Sequence, residues 1–307
     1  MSDGMQLARR RDALWRRAAI IRGIRLFFVE REYLEVETPL RIPEPVPESH
    51  IEAVSSEAWF LHTSPEICMK RMLAAGYSKI FQICRCFRKA ERGERHLPEF
   101  TVLEWYREKA DYLELMSECE DLLTVLVEYL GGQDRLVGQG HAVDLRKPWD
   151  RLTVKEAFEC FTTSEMEEAL EKGSFDEILA FEIEPHLGLD KPVFLYDYPI
   201  SLGALARRKA ENSDLAERFE LYIGGIELVN AFSELTQGEE QRERFLKEEA
   251  YRRSMGKPPY PMPEKFLRAL SQMPESAGAA LGVDRLIMLL TDADRIDDVV
   301  AFTPEDL

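Results

Sequence analysis

The chain has 307 residues, 45% of them hydrophobic, and a formal net charge of −17. That length supports one large domain or two modest ones with a sizeable core, and no stretch approaches the roughly 20 apolar residues of a membrane helix. The acidic balance disfavours extensive contact with tRNA or DNA, whose binders neutralise phosphates with Lys and Arg. The opening MSDGMQLARRRDALWRR lacks the apolar centre of a secretory signal. Cys68, Cys84, Cys86, Cys119 and Cys160 show no paired zinc-ligand spacing. They are expected to be reduced, mostly buried thiols of a cytoplasmic protein. Two basic clusters, Arg9, Arg10, Arg11, Arg16 and Arg17, then Arg207, Arg208 and Lys209, read as solvated faces.

Along the chain, Leu14, Ala18, Ile21, Ile24 and Phe28 recur at spacings of three and four, which predicts an amphipathic helix over 13–29. A strand-like piece over 33–38 stops at Pro39, a Pro-rich loop follows, and 58–61 reads as a short strand. Thr63, Ser64, Pro65 and Glu66 form a helix start, with a hydroxyl cap, proline at the first helical position and an acid in the first turn. That helix should run to about Ala75 and end at Gly76. Residues 79–88 and 99–106 alternate as two strands of a hairpin with a long charged loop. Residues 111–130 are helical. Residues 131–215 read poorly, with one strand candidate at 193–196. Residues 219–235 are extended around a Gly224–Gly225 turn, 237–255 is a charged helix broken by PPYPMP, and 278–282 leads into a helix over 283–290. Long antiparallel hairpins with helices around them predict an α+β fold.

Four segments carry chemistry. Residues 81–88 and 99–106 place an arginine and a buried acid–tyrosine pair on one hairpin. The fork of Arg88 suits phosphate, and carboxylate and phenol groups suit an ammonium. In ELVNAFSE, Glu227 and Glu234 are seven apart, so a bulge or bend must bring both to one side of a strand. In GAALGVDRL, small residues permit close backbone approach, and Arg285 sits at a helix start beside free N–H groups.

LEVETP, FR…RHLPEFTVLEWY and GAALGVDRL resemble motifs 1, 2 and 3 of class II aminoacyl-tRNA synthetases, in order and over about residues 10–303. TSPE and ELVNAFSEL resemble the lysyl branch. The first catalytic helix begins near residue 13, leaving no room ahead of it for an anticodon-binding OB-fold. Residues 1–307 are therefore expected to form a single catalytic domain, an antiparallel sheet flanked by helices. In this respect the chain is similar to the stand-alone lysyl-synthetase paralogues, the elongation factor P–(R)-β-lysine ligase family. Ala280, where lysyl-tRNA synthetases usually have glycine, fits that branch.

The resemblance implies roles by position. Arg88 would hold the α-phosphate of ATP, and Arg285 the γ-phosphate and one adenine face. Phe100 would stack on the other face, with His96, Leu228 and Gly282 on the nucleotide side. Glu227 and Glu234 would hold Mg²⁺. Glu66, beside Ser64 and Pro65, would receive the amino group. Glu104 and Tyr106 would bind the distal ammonium, with Asn230, Glu234 and Ala280 lining the amino-acid pocket. The implied reaction forms an aminoacyl-adenylate from lysine or (R)-β-lysine and transfers the acyl group to a lysine of elongation factor P. Motif 1 implies a homodimer, and the lack of an anticodon domain disfavours tRNA as acceptor. An enzyme charging tRNA or another acceptor, and a non-catalytic regulatory paralogue, are the alternatives. Three departures bear on them. FRNE is here Phe87-Arg88-Lys89-Ala90, HNPEF is His96-Leu97-Pro98-Glu99-Phe100, and NGF is Asn230-Ala231-Phe232. Each lost neutral hydrogen bond to ATP weakens it by about 1 kcal/mol.

Overall fold

The computed structural model describes residues 3–138 and 141–307. Helix α1 (Asp3–Glu30) starts ten residues earlier than residue 13, the start its apolar spacing predicts, and buries Ile20, Ile24, Phe27 and Phe28. The 33–38 stretch contributes only a two-residue strand, β1 (Leu34–Glu35). Strands β2 (Arg41–Ile42), β3 (Val54–Ser56) and β4 (Trp59–Leu61) make a small separate sheet in the order β2-β4-β3. Helix α2 (Glu66–Ala74) follows. Its N-cap is Pro65, one place later than the hydroxyl pattern predicts, and Ser64 Oγ accepts the Glu66 N–H at 3.0 Å.

The first hairpin is β5 (Lys79–Phe87) with β6 (Glu99–Glu108), followed by α3 (Tyr112–Tyr129), which a capping box of Asp111 and Glu114 starts. The poorly read region supplies β7 (Arg135–Gly138), β8 (His141–Asp144), β9 (Asp150–Thr153), α4 (Val154–Phe161), α5 (Met166–Lys172), α6 (Phe175–Ile178) and β10 (Val193–Pro199). Strands β11 (Leu215–Ile223) and β12 (Ile226–Ser233) form the second hairpin. Gly224 and Gly225 both take positive φ, 59° and 69°, as a tight two-residue turn requires. Helices α7 (Gly238–Ser254) and α8 (Glu264–Leu270) precede β13 (Ser276–Gly282), a full strand that the Gly/Ala-rich sequence conceals. Helix α9 (Val283–Leu290) then starts directly from its end.

The main sheet has eight strands in the order β1-β5-β6-β13-β12-β11-β10-β9. It is mixed and not purely antiparallel, because β1 pairs parallel with β5 and β9 parallel with β10 at the two edges. Its core face carries Phe81, Leu103, Trp105, Phe219, Leu221 and Ala279, packed under α1, α3 and α9. The other face of the five central strands is left for side chains with chemistry.

The basic clusters are not uniformly solvated. Arg17 reaches from α1 to Asp284, 2.5 Å away and 1% exposed, and donates to Thr101 Oγ1 at 2.7 Å. Arg10 pairs with Asp306, Arg207 with Glu217, Arg208 with Glu240 and Lys209 with Asp197. Asp284 also accepts the Thr101 N–H at 2.7 Å, so one carboxylate ties α1, β6 and the start of α9 together. Removing Arg17 would strand that buried charge. Arg17→Met should lower unfolding free energy by about 3 kcal/mol in chemical denaturation, and a loss under about 0.5 kcal/mol would refute the tie.

Candidate active site

The register of the five central strands builds the site. Residues directly opposite one another in a sheet share a face. One row across the sheet is therefore Gln82, Glu104, Ala280, Asn230 and Glu220. The next is Ile80, Tyr106, Gly278, Phe232 and Arg218. These rows floor a cavity of about 370 Å³. The structure brings Ser64, Glu66, Arg88, His96, Phe100, Glu104, Tyr106, Glu227, Leu228, Asn230, Ala280, Gly282 and Arg285 to its lining. Pro65 and Glu234 are not among the lining residues. Pro65 sets the start of α2, and Glu234 lies just behind Gly278, where a Cβ would come within 2.6 Å of its Oε1 and 2.3 Å of the Tyr106 ring. Only glycine lets these two groups approach the floor together.

At one end the charges are out of balance. Lys70, 1% exposed, lies on α2 four residues after Glu66, donates to Glu66 Oε1 at 2.6 Å and pairs with the fully buried Glu234. Burial works against its charge, but Glu234 and Glu66 outweigh it and leave the ammonium pKa raised. Glu104 accepts from Ser64 Oγ at 2.6 Å and from Tyr106 Oη at 2.8 Å. Its pKa is pushed up to about 8 by burial and by the nearby Glu66. Glu48, a further wall residue, is raised to about 7 by burial and by Glu66. Four acid groups, Glu48, Glu66, Glu104 and Glu234, thus lie around the one ammonium of Lys70. A ligand carrying ammonium groups would correct the imbalance.

At the other end arginines gather. Arg88 lies 5.0 Å from the Phe100 ring centroid, and its buried Nε has no hydrogen-bond partner among the described residues. Its nearest acid, Glu91, is 3.7 Å away. Arg285 donates to the Glu227 carbonyl at 2.9 Å, to its carboxylate at 3.0 Å, and to His96 Nε2 at 2.5 Å. Burial, then the Arg285 charge, holds the His96 pKa below its usual value, consistent with a neutral acceptor. Leu97, where the resemblance implies an amide, is 4% exposed and joins the main core. Ala90 adopts φ 64°, a left-handed conformation that costs a residue with a Cβ about 1 kcal/mol.

The expected metal pair needs correcting. A bulge between β11 and β12, where Val229 faces Leu221 but Glu227 faces Tyr222, does turn Glu227 into the cavity. Glu234 nevertheless lies seven residues further on, roughly 20 Å along a strand. Ligands of one ion sit within about 2.6 Å of it, so the two cannot share one. The acids grouped with Glu227 are Glu220 and Glu184, the latter pushed up to about 7 by burial and by those two carboxylates. Glu220 is saturated, accepting from Tyr198, Tyr222, Arg218 and Asn230 at 2.6–3.0 Å. Glu227 keeps free acceptor capacity. Such oxygen donors fit Mg²⁺, which binds through one or two carboxylates plus substrate phosphates. Sequence reading missed Glu220, Arg218, Lys70 and Glu48. For Glu220 a signal existed, since two acids flanking a Gly-Gly turn sit close together in a hairpin.

Glu104 is a carboxyl whose folded pKa lies above its unfolded value. Its contribution is therefore fully present below pH 4.5 and is lost as pH rises through about 8. Without ligand, Glu104→Gln should flatten the decline of melting temperature across that window and exceed the parent at pH 8 by more than about 1 kcal/mol. Parallel curves for the two proteins would contradict this.

Comparison with known proteins agrees with the geometry. The family tRNA synthetases class II (D, K and N) matches residues 5–306. The Elongation factor P--(R)-beta-lysine ligase of Pectobacterium carotovorum subsp. carotovorum (strain PC1) is 40% identical over 317 residues, covering 95% of each chain. The protein of the same name from Enterobacter sp. (strain 638) is 40% identical over 306 residues, 94% of each. That from Sodalis glossinidius (strain morsitans) is 41% identical over 312 residues, 95% of each. The chain therefore belongs to the class II tRNA synthetase family (D, K and N), and these relatives are elongation factor P–(R)-β-lysine ligases.

Proposed function

We propose that this chain is an ATP-dependent ligase that activates lysine or (R)-β-lysine and transfers it to a lysine side chain of elongation factor P. The observation that carries the reading is the acidic end of the cavity, where Glu48, Glu66 and Glu104 line the wall and Lys70 pairs with Glu66 and with Glu234 behind it. Both candidate substrates carry two ammonium groups, which these acid groups can pair with. The arginine end supplies the opposite chemistry. The substrate carboxylate attacks the α-phosphorus of ATP, pyrophosphate leaves, and Arg88 neutralises the charge that develops on the phosphoryl oxygens. The acceptor amine then attacks the acyl carbon and AMP departs. Phe100 offers a stacking face for adenine. Glu227 would hold Mg²⁺, which neutralises the polyphosphate, with Glu220 and Glu184 reinforcing the field.

The whole of residues 1–307 acts in this reading as one catalytic domain, and elongation factor P replaces tRNA as acceptor. Leu26, Val29, Leu34 and Leu40 are 42–57% exposed on α1 and the segment after it, which supports a homodimer through that face. No helix among the described residues is long and apolar enough to cross a membrane, which fits a cytoplasmic place of work.

Intact-mass analysis of elongation factor P, incubated with this protein, ATP and each lysine isomer, should show the addition of one lysyl group. No addition with any isomer, alongside normal charging of purified tRNA, would overturn the acceptor assignment. Arg88→Ala should cut ATP–pyrophosphate exchange by at least about a hundredfold, and unchanged exchange would refute its role. Gly278→Ala, which drives a methyl into Tyr106 and Glu234, should raise KM for the amino acid at least about tenfold with little change in KM for ATP. An equal rise in both would point to general distortion instead.

A further inference from the structure

Strand alternation places Cys84 and Cys86 on the cavity-side face of β5, opposite Val102 and Phe100. His62, at the end of β4, is fixed beside them. Its carbonyl accepts the Phe87 N–H at 3.0 Å, and its own N–H donates to the Leu40 carbonyl at 2.8 Å. His62 Nε2 lies 3.8 Å from Cys86 Sγ, and the ligand atoms of His62, Cys84 and Cys86 all fall within 4.8 Å of one another. His62 and Cys86 are 1% and 0% exposed, whereas Cys84 is half-buried, so the group opens on one side only. Next along the same face, Gln82 is 3% exposed, and its Oε1 has no hydrogen-bond partner among the described residues. None of these four side chains has a part in the adenylation chemistry above.

We propose that His62, Cys84 and Cys86 form a binding site for a thiophilic divalent cation, zinc in particular, beside the catalytic cavity. Two thiolates and an imidazole are a borderline-soft donor set that favours Zn²⁺ over the hard Mg²⁺ used with ATP. Bond lengths of about 2.3 Å to sulfur and 2.0 Å to nitrogen require donor atoms roughly 3.5 Å apart. Small side-chain rotations close the present spacing to that value. His62 Nε2 now meets the Arg85 carbonyl at 2.7 Å and would exchange that contact for the ion. The fourth position falls to water or to the unpartnered Gln82 Oε1. Occupancy would clamp the segment before Ser64 to β5, the strand that leads into Arg88, coupling Ser64 and Arg88 to one ion.

Co²⁺ titration of the reduced full-length protein provides the test, because cobalt–thiolate bonds give a near-ultraviolet charge-transfer band that simple oxygen sites lack. The expected result is one cobalt per chain with such a band, displaced by zinc. Cys84→Ser and Cys86→Ser should each weaken binding at least about tenfold, with far-ultraviolet circular dichroism unchanged. No band in the parent protein would overturn the proposal, as would an undiminished band in both variants, which would assign it to Cys68 or Cys160. If Cys86→Ser fails to fold, the half-buried Cys84→Ser decides alone.

Discussion

The site depends on an ammonium that never leaves. Lys70 is buried where a lone charge would be prohibitive, and Glu66 and Glu234 hold it charged. Its presence lets the fold gather a third carboxylate, Glu104, within the same small volume. Burial and the neighbouring Glu66 raise the Glu104 pKa to about 8, so without a ligand of opposite charge this carboxyl favours its neutral form. A group held this far from its preferred state is poised for a ligand of opposite charge. Specificity for a diamino acid follows from charge balance before any detail of shape is considered.

The sheet turns this local imbalance into a reactive geometry. Because β5, β6, β13, β12 and β11 are adjacent and antiparallel, a single register fixes Glu104, Ala280, Asn230 and Glu220 in one row. Arg88 follows directly on β5, its guanidinium 5.0 Å from the Phe100 ring centroid. The carboxylate of a substrate seated by its ammonium groups is thereby directed toward the arginine end. The Arg17–Asp284–Thr101 tie and Gly278 act on the same framework, the first by fixing where α9 starts and the second by keeping the floor thin enough for Tyr106 and Glu234. Catalysis here calls for positioning and electrostatics more than proton transfer.

Much of this was legible in the sequence where local pattern and chemistry coincide. The β5–β6 hairpin follows from short-range alternation and the Gly224–Gly225 turn from turn chemistry, the motif residues were implied by the resemblance, and the structure brings most of those side chains to one cavity. Long-range relations were not legible. The parallel pairing of β9 with β10 depends on a crossover of some forty residues that no local period reveals. Strand β13 was hidden because its Gly and Ala side chains, chosen for closeness to the cavity, carry little strand propensity. Glu220 lay in a stretch read only as extended, and the two acids in ELVNAFSE were paired with each other because the resemblance implied it, although seven residues of extended chain carry them apart. The partner of Glu66, Lys70, sits at an ordinary helical i,i+4 distance. Only its burial distinguishes it from a surface pair.

The central claim is that unmatched carboxylates select a substrate with two ammonium groups. ATP–pyrophosphate exchange with lysine isomers, set against 2-aminohexanoic acid, which has the same chain length but no distal ammonium, tests it most directly. The analogue lacking the ammonium should be slower by at least about a thousandfold in kcat/KM, because buried Glu104 would be left without a counter-charge. Exchange within about tenfold of the lysine rate would contradict it.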